Sequence, residues 1–283
     1  MLYPFYDADY ADQPTPLYCF NHNGKLRWKH QIGREMRLAG SNIIYAAHYT
    51  VMWVGLLHKP TPNGGVIVVG GNRGGTSLFC VELLDKDGHV VSSYYHFGWL
   101  WAMGVMDLDG DGYDEVLLGG VNNAYGGLAN STYSMTLVVL DSRKLQGQGP
   151  VPPQDGRRLV DLTSGNERAV LFFPEFVDPD PAQPASFCRI TNIKPHQDLF
   201  EVKAIYNSVP EDKIVEYQFD RQLNLNMVLP SPAVAQILTH KLPYAITAAK
   251  RSQEYQKALG NVYVLKNDFA KPGPIREIAA RGE

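Results

Sequence analysis

The sequence predicts an all-β, mainly antiparallel fold of small stacked sheets, in the manner of a β-propeller. Three observations carry that prediction. Short β-branched and aromatic runs are punctuated by Gly, Asn and Asp; hairpin-like segments resemble one another; and an apolar strand with paired glycines occurs twice. Four antiparallel strands repeating about every 50 residues read as propeller blades, because one small sheet must stack on neighbours to bury both of its faces.

The hairpins come first. Leu17 to Trp28 (LYCFNHNGKLRW) and Leu78 to Val91 (LFCVELLDKDGHVV) each read as a strand, a polar turn ending in Asn-Gly or Asp-Gly, and a returning strand. Those dipeptides supply the positive φ angles that tight hairpins require. Weaker copies stand at Leu137 to Leu145 (LVVLDSRKL) and Glu216 to Leu225 (EYQFDRQLNL). The glycine-bearing strands are Val66 to Asn72 (VIVVGGN) and Glu115 to Asn122 (EVLLGGVN). Each follows an aromatic-rich strand, Tyr49 to Leu57 or Gly98 to Met106, and is expected to break at its glycines. Residues 148–186 hold seven prolines and few strand signals, which predicts an irregular insertion with a short strand at Ala169 to Phe173. A helix is expected at 244–259 (YAITAAKRSQEYQKAL), stopped by Gly260, with one more strand in GNVYVLKNDF. Counted this way, residues 1–283 form a single domain of three fuller blades and pieces of others, an incomplete or irregular propeller.

Composition narrows the function. A net charge of −3 with dispersed basic residues leaves no positive stripe for a nucleic-acid backbone. No apolar run approaches the roughly 20 residues of a membrane-spanning helix, and the first ten residues do not read as a signal peptide. Cys19, Cys80 and Cys188 are odd in number and far apart, so no disulfide framework is expected; Cys19 and Cys80 stand in apolar strand patterns (LYCF, LFCV) and are expected to be buried thiols. The glycine-rich run Gly70 to Ser77 lacks the lysine and following helix of a phosphate cradle. His48, His58 and His196 lack zinc-site spacing, and there is no nucleophile elbow. Asn130-Ser131-Thr132 is a glycosylation sequon.

One stretch specifies a chemistry. In Met106 to Gly120 (MDLDGDGYDEVLLGG), Asp107, Asp109 and Asp111 alternate, Gly110 and Gly112 permit a tight curl, and Glu115 follows. Calcium is a hard cation that takes six to eight oxygen ligands, and crowded carboxylates need a counter-charge. The twelfth position of an EF-hand loop is Leu118 here instead of glutamate. Over Trp99 to Val121 the segment resembles the FG-GAP or VCBS repeat of integrin α-chain-type β-propellers, whose loops read D-x-D-G-D-G-x-x-[DE] before an apolar strand. The resemblance implies Ca2+ held by the side chains of Asp107, Asp109, Asp111 and Glu115 and the carbonyl of Tyr113, with Asp114 an alternative to Glu115. It also implies an extracellular or periplasmic setting.

His96, Trp99 and Trp101 precede this loop and could stack on a sugar or peptide, or pack between blades. The expected function is a noncatalytic, calcium-stabilised module that binds a protein or a carbohydrate. The alternatives are a polysaccharide-acting enzyme on the same scaffold and a sensor segment of a larger membrane-anchored protein.

Overall fold

The structure, a computed structural model, describes residues 2–4, 15–47, 49–73, 78–124, 134–151, 157–174, 188–206, 213–240, 262–267 and 276–278, with 253, 257, 259 and 260. Strands β1 (Leu2–Pro4), β2 (Leu17–Phe20) and β3 (Leu26–His30) form a first sheet, followed by a ribbon of β4 (Met36–Arg37) and β5 (Ile44–Tyr45). The second sheet runs β6 (Tyr49–Leu56), β7 (Ile67–Arg73), β8 (Leu78–Leu84) and β9 (Val90–Phe97), each antiparallel to the next. Strands β10 (Leu100–Met106), β11 (Glu115–Asn122) and β12 (Ser134–Asp141) begin the third sheet. Strand β13 (Gly147–Gln148) returns to lie parallel beside β9, and β14 (Glu167–Phe172) completes the third sheet against β12. The fourth sheet is the meander β15 (Arg189–Pro195), β16 (Leu199–Ile205), β17 (Ile214–Asp220) and β18 (Leu225–Pro230). Helix α1 (Pro232–His240) follows, and β19 (Val262–Asn267) and β20 (Arg276–Ile278) extend the third sheet beyond β14.

The sheets stack in sequence order, so the fold is all-β, mainly antiparallel and propeller-like. Leu17, Ile32, Val51, Cys80 and Tyr95 pack between the first and second sheets. Val68, Phe79, Val81, Val116, Leu118 and Val138 pack between the second and third. Leu117, Leu137, Val139, Ile190, Phe200 and Tyr217 pack between the third and fourth. Central strands therefore bury both faces, which is why β8, β11 and β12 read as near-continuous apolar runs and are buried at every position. Cys19, Cys80 and Cys188 are all buried.

The turns follow one device. Asn21, Asp85 and Asp220 each accept hydrogen bonds from the backbone N–H groups two and four residues ahead. The left-handed position in each is Gly24, Gly88 or Leu223; Leu223 bears that conformation while its side chain is fully buried in the core.

Three expectations need correction. The paired glycines do not break their strands: β7 runs through Gly70 and Gly71, and β11 through Gly119 and Gly120. Opposite each pair the preceding strand is bulged, at Met52 and at Trp101, and the missing side chains admit the Trp53 ring and the Trp99 backbone. The fourth sheet repeats the bulge at Thr191. Leu137 to Leu145 is not a hairpin, because Asp141 caps a 3-10 turn over Ser142–Lys144 and the return strand is β14, beyond the insertion. Helix α1 was not foreseen, although Ser231 before Pro232 is a helix-start signal: the Ser231 Oγ accepts from Val234 N–H at 3.5 Å. Of the helix expected at 244–259, Gln253, Lys257 and Leu259 are helical, and the rest lies outside the described residues. The sequon, His48, residues 74–77 and much of the 148–186 insertion also lie outside them. Among the described residues no helix is long and apolar enough to cross a membrane.

Candidate metal centre

The acidic loop joins β10 to β11 at one end of the third sheet. Gly110 (φ +76°) and Gly112 (φ +85°) take left-handed conformations, and their N–H groups donate to Asp107 Oδ1 (2.8 Å) and Oδ2 (2.9 Å). Asp109 Oδ1 accepts from Asp111 N–H at 3.2 Å, and Asp111 Oδ1 from Tyr113 N–H at 2.9 Å. Glu115, the first residue of β11 and fully buried, accepts from Leu108 N–H through Oε2 at 2.8 Å. The curl thereby gathers Asp107, Asp109 and Glu115 into an acidic triad whose ligand atoms lie within 4.8 Å of one another, a group that could hold a metal ion.

Counter-charge in this structure comes from the chain itself. Arg168 Nη1 donates to Asp109 Oδ2 at 2.5 Å and to Glu115 Oε1 at 2.8 Å. Arg168 sits at a bulge in β14, where the register shifts between the Ala169–Val139 and Glu167–Leu140 pairs, and a bulge of this kind re-aims a side chain. Arg143, held by the capped turn, pairs with Asp141 through Nε and Nη2 (2.8 Å each) and with Asp111 Oδ2 through Nη1 (2.6 Å). Burial raises the Asp109 carboxyl, but Arg168 and the Asp111 N–H outweigh it and hold the group below the usual carboxylate range. At Glu115 burial prevails over Leu108 N–H and Arg168, and pushes the carboxyl up to about 7.

The predicted ligands are thus divided. Asp107, Asp109 and Glu115 come together; Asp111 faces Arg143; the Tyr113 ring lies between Lys59 Nζ (3.9 Å to the centroid) and Arg143 Cζ (4.8 Å). Asp114 turns away, accepting from His58 N–H at 2.6 Å with Oδ2 and meeting His58 Nδ1 at 2.8 Å with Oδ1, so Glu115 is the acid that faces the triad. His96 is fully buried, while Trp99 and Trp101 are half-buried and meet edge to face at 5.2 Å between centroids, with the Arg189 guanidinium 5.4 Å from the Trp101 ring. Sequence reasoning missed Arg143 and Arg168. Arg168 acts across 53 and 59 residues of chain, and only the β14 bulge, invisible before pairing is known, brings it to the loop.

Compared with models of known protein families the chain matches none, and comparison with curated proteins finds no relative. The functional reading therefore stands on the geometry of the loop.

Proposed function

We propose that this chain is a calcium-binding, noncatalytic module of the FG-GAP or VCBS type that presents loops to a protein or carbohydrate ligand outside the cytoplasm. The acidic triad of Asp107, Asp109 and Glu115 carries the reading. Its donors are all carboxylate oxygens, the chemistry of a hard cation, and a cationic nitrogen already rests between two of them. Asp107, Asp109 and Glu115 would supply the side-chain ligands, with Asp111 recruited from Arg143 and Tyr113 offering its carbonyl. The ion would serve structurally, fixing the start of β11 and the loops beside it.

Isothermal titration of the chelator-treated chain with calcium chloride tests the metal. Saturable one-site binding is expected for the wild type, with binding lost in Asp107→Asn. Absence of heat up to millimolar calcium in the wild type would defeat the reading. A glycan array and a hydrolase panel test the rest: retention of a glycan without turnover is expected, and sustained calcium-dependent hydrolysis would replace a binding module with an enzyme.

A further inference from the structure

We infer that Arg168 is a built-in competitor for the metal, its guanidinium filling the cation position between Asp109 and Glu115 and withdrawing when an ion binds. The inference rests on the reading of the triad as a metal site.

Both carboxylates are anchored from behind by backbone. Asp109 Oδ1 accepts from Asp111 N–H and Glu115 Oε2 from Leu108 N–H, which leaves Asp109 Oδ2 and Glu115 Oε1 facing inward, and these two oxygens are the ones Arg168 Nη1 bridges. A calcium ion needs carboxylate oxygens at about 2.3–2.6 Å, so ion and Nη1 cannot share that space, and like charge adds repulsion. Arg143 sits differently: its partners, Asp111 and Asp141, lie outside the triad, so it can stay paired with Asp141 while the ion enters.

Two consequences follow from exchanging one cation for another. The metal-free loop is held by Arg168, so the ion would add to the stability of a loop that is already ordered. Apparent calcium affinity is lowered by the ion pair that must be opened first, by about tenfold for a partly buried pair of this kind. The bulge that turns Arg168 inward thereby sets the calcium concentration at which the loop responds.

The test compares the wild-type chain with Arg168→Gln and Arg168→Lys, each titrated calorimetrically with calcium chloride after chelator treatment. The Gln variant, of similar polarity but uncharged, is expected to bind about tenfold more tightly and to melt lower without metal; the Lys variant, still charged, should remain within about threefold of the wild type. Equal or weaker binding by the Gln variant overturns competition while leaving the metal reading intact. Binding by the Gln variant alone supports competition and removes calcium from the native chain's function, whereas binding by neither overturns both. A readout on the wild type is independent of variant folding: the Arg168 Nε–Hε resonance, assigned by its loss in the Lys variant or by backbone-to-side-chain correlation, should shift on saturation with calcium. An Arg168 resonance unmoved by saturating calcium overturns withdrawal.

Discussion

Acidification offers a test of how firmly the interior between the second and third sheets is closed. His96 on β9 is fully buried; its Nε2–H donates to the Val121 carbonyl at 3.3 Å, and Nδ1 has no hydrogen-bond partner among the described residues. Tyr94 stacks beside it at 6.4 Å between centroids, the Glu167 carboxyl faces Tyr94, and the Gly149 backbone lies against Nδ1. Burial pulls the imidazole down to about 4, against the hydrogen bond to Val121. The folded protein thus keeps the ring neutral while the unfolded chain protonates near 6.5, so this contribution is complete above pH 6.5, falls with pH, and levels near pH 4. At about 1.36 kcal/mol per pH unit the loss is on the order of 3 kcal/mol. Glu115 has the opposite sign: with its carboxyl raised from 4.5 to about 7, its contribution is complete below pH 4.5 and is lost as pH rises toward 7. The two slopes oppose each other, so total wild-type stability should vary little between them, and the informative quantity is a difference. His96→Gln keeps a donor for Val121 but cannot take a proton. Urea unfolding of both proteins, followed by tryptophan fluorescence in chelator from pH 7.5 to 4, should show the gap moving in the variant's favour by on the order of 3 kcal/mol. A gap independent of pH would refute the assignment of a neutral, sealed His96.

Three further substitutions probe the scaffold. Gly120→Ala would place a Cβ 1.9 Å from the Trp99 carbonyl oxygen, a backbone collision, and should cost more than about 3 kcal/mol in urea unfolding or abolish soluble expression. Gly110→Ala meets nothing within 4 Å, so only its left-handed backbone at φ +76° resists, and a loss of about 1–2 kcal/mol is expected by the same measurement. Glu82→Ala removes the acceptor for His30 Nε2 (2.6 Å) and Gly33 N–H (3.0 Å) that ties the first sheet to the second; a loss of about 2–4 kcal/mol and faster amide exchange in β2 and β3 should follow, and unchanged exchange there would contradict that role.

The legible parts of the sequence were those whose physics is local. Strand runs, the Asn-Gly and Asp-Gly turns and the curl of the acidic loop depend on neighbours a few residues apart, and each lies where its residues predict. The paired glycines misled because a local reading treats glycine as a break, whereas Gly70 and Gly119 are spaces for Trp53 and Ile190, contacts settled by stacking. Leu137 to Leu145 looked like a hairpin because its turn residues are right; Asp141 instead caps the 3-10 turn and pairs with Arg143, which also reaches Asp111 in the acidic loop. Crowded acids signal a need for counter-charge, and Arg168 shows that a sequence cannot say whether an ion or a side chain delivered by a distant strand meets it.

The position of Glu115 explains why either cation matters beyond its loop. Glu115 begins β11, whose Val116 and Leu118 pack toward the second sheet and whose Leu117 packs toward the fourth. An uncompensated carboxylate at the head of that strand would have to draw water or a proton into the seam between two cores, and its cost would fall on both. Arg168 offsets part of that cost, and an ion would offset more, at the head of a strand that is buried along its whole length. A cation bound at the loop would therefore be coupled to the two central sheet interfaces at once. Metal taken up at about 100 times the apparent dissociation constant of the wild type, in which the cost of displacing Arg168 is already contained, would add roughly 2.7 kcal/mol to unfolding as a whole. Were the stabilisation confined to the loop, amide exchange in β11 and β12 would be the same with and without the ion; coupling requires both strands to slow together.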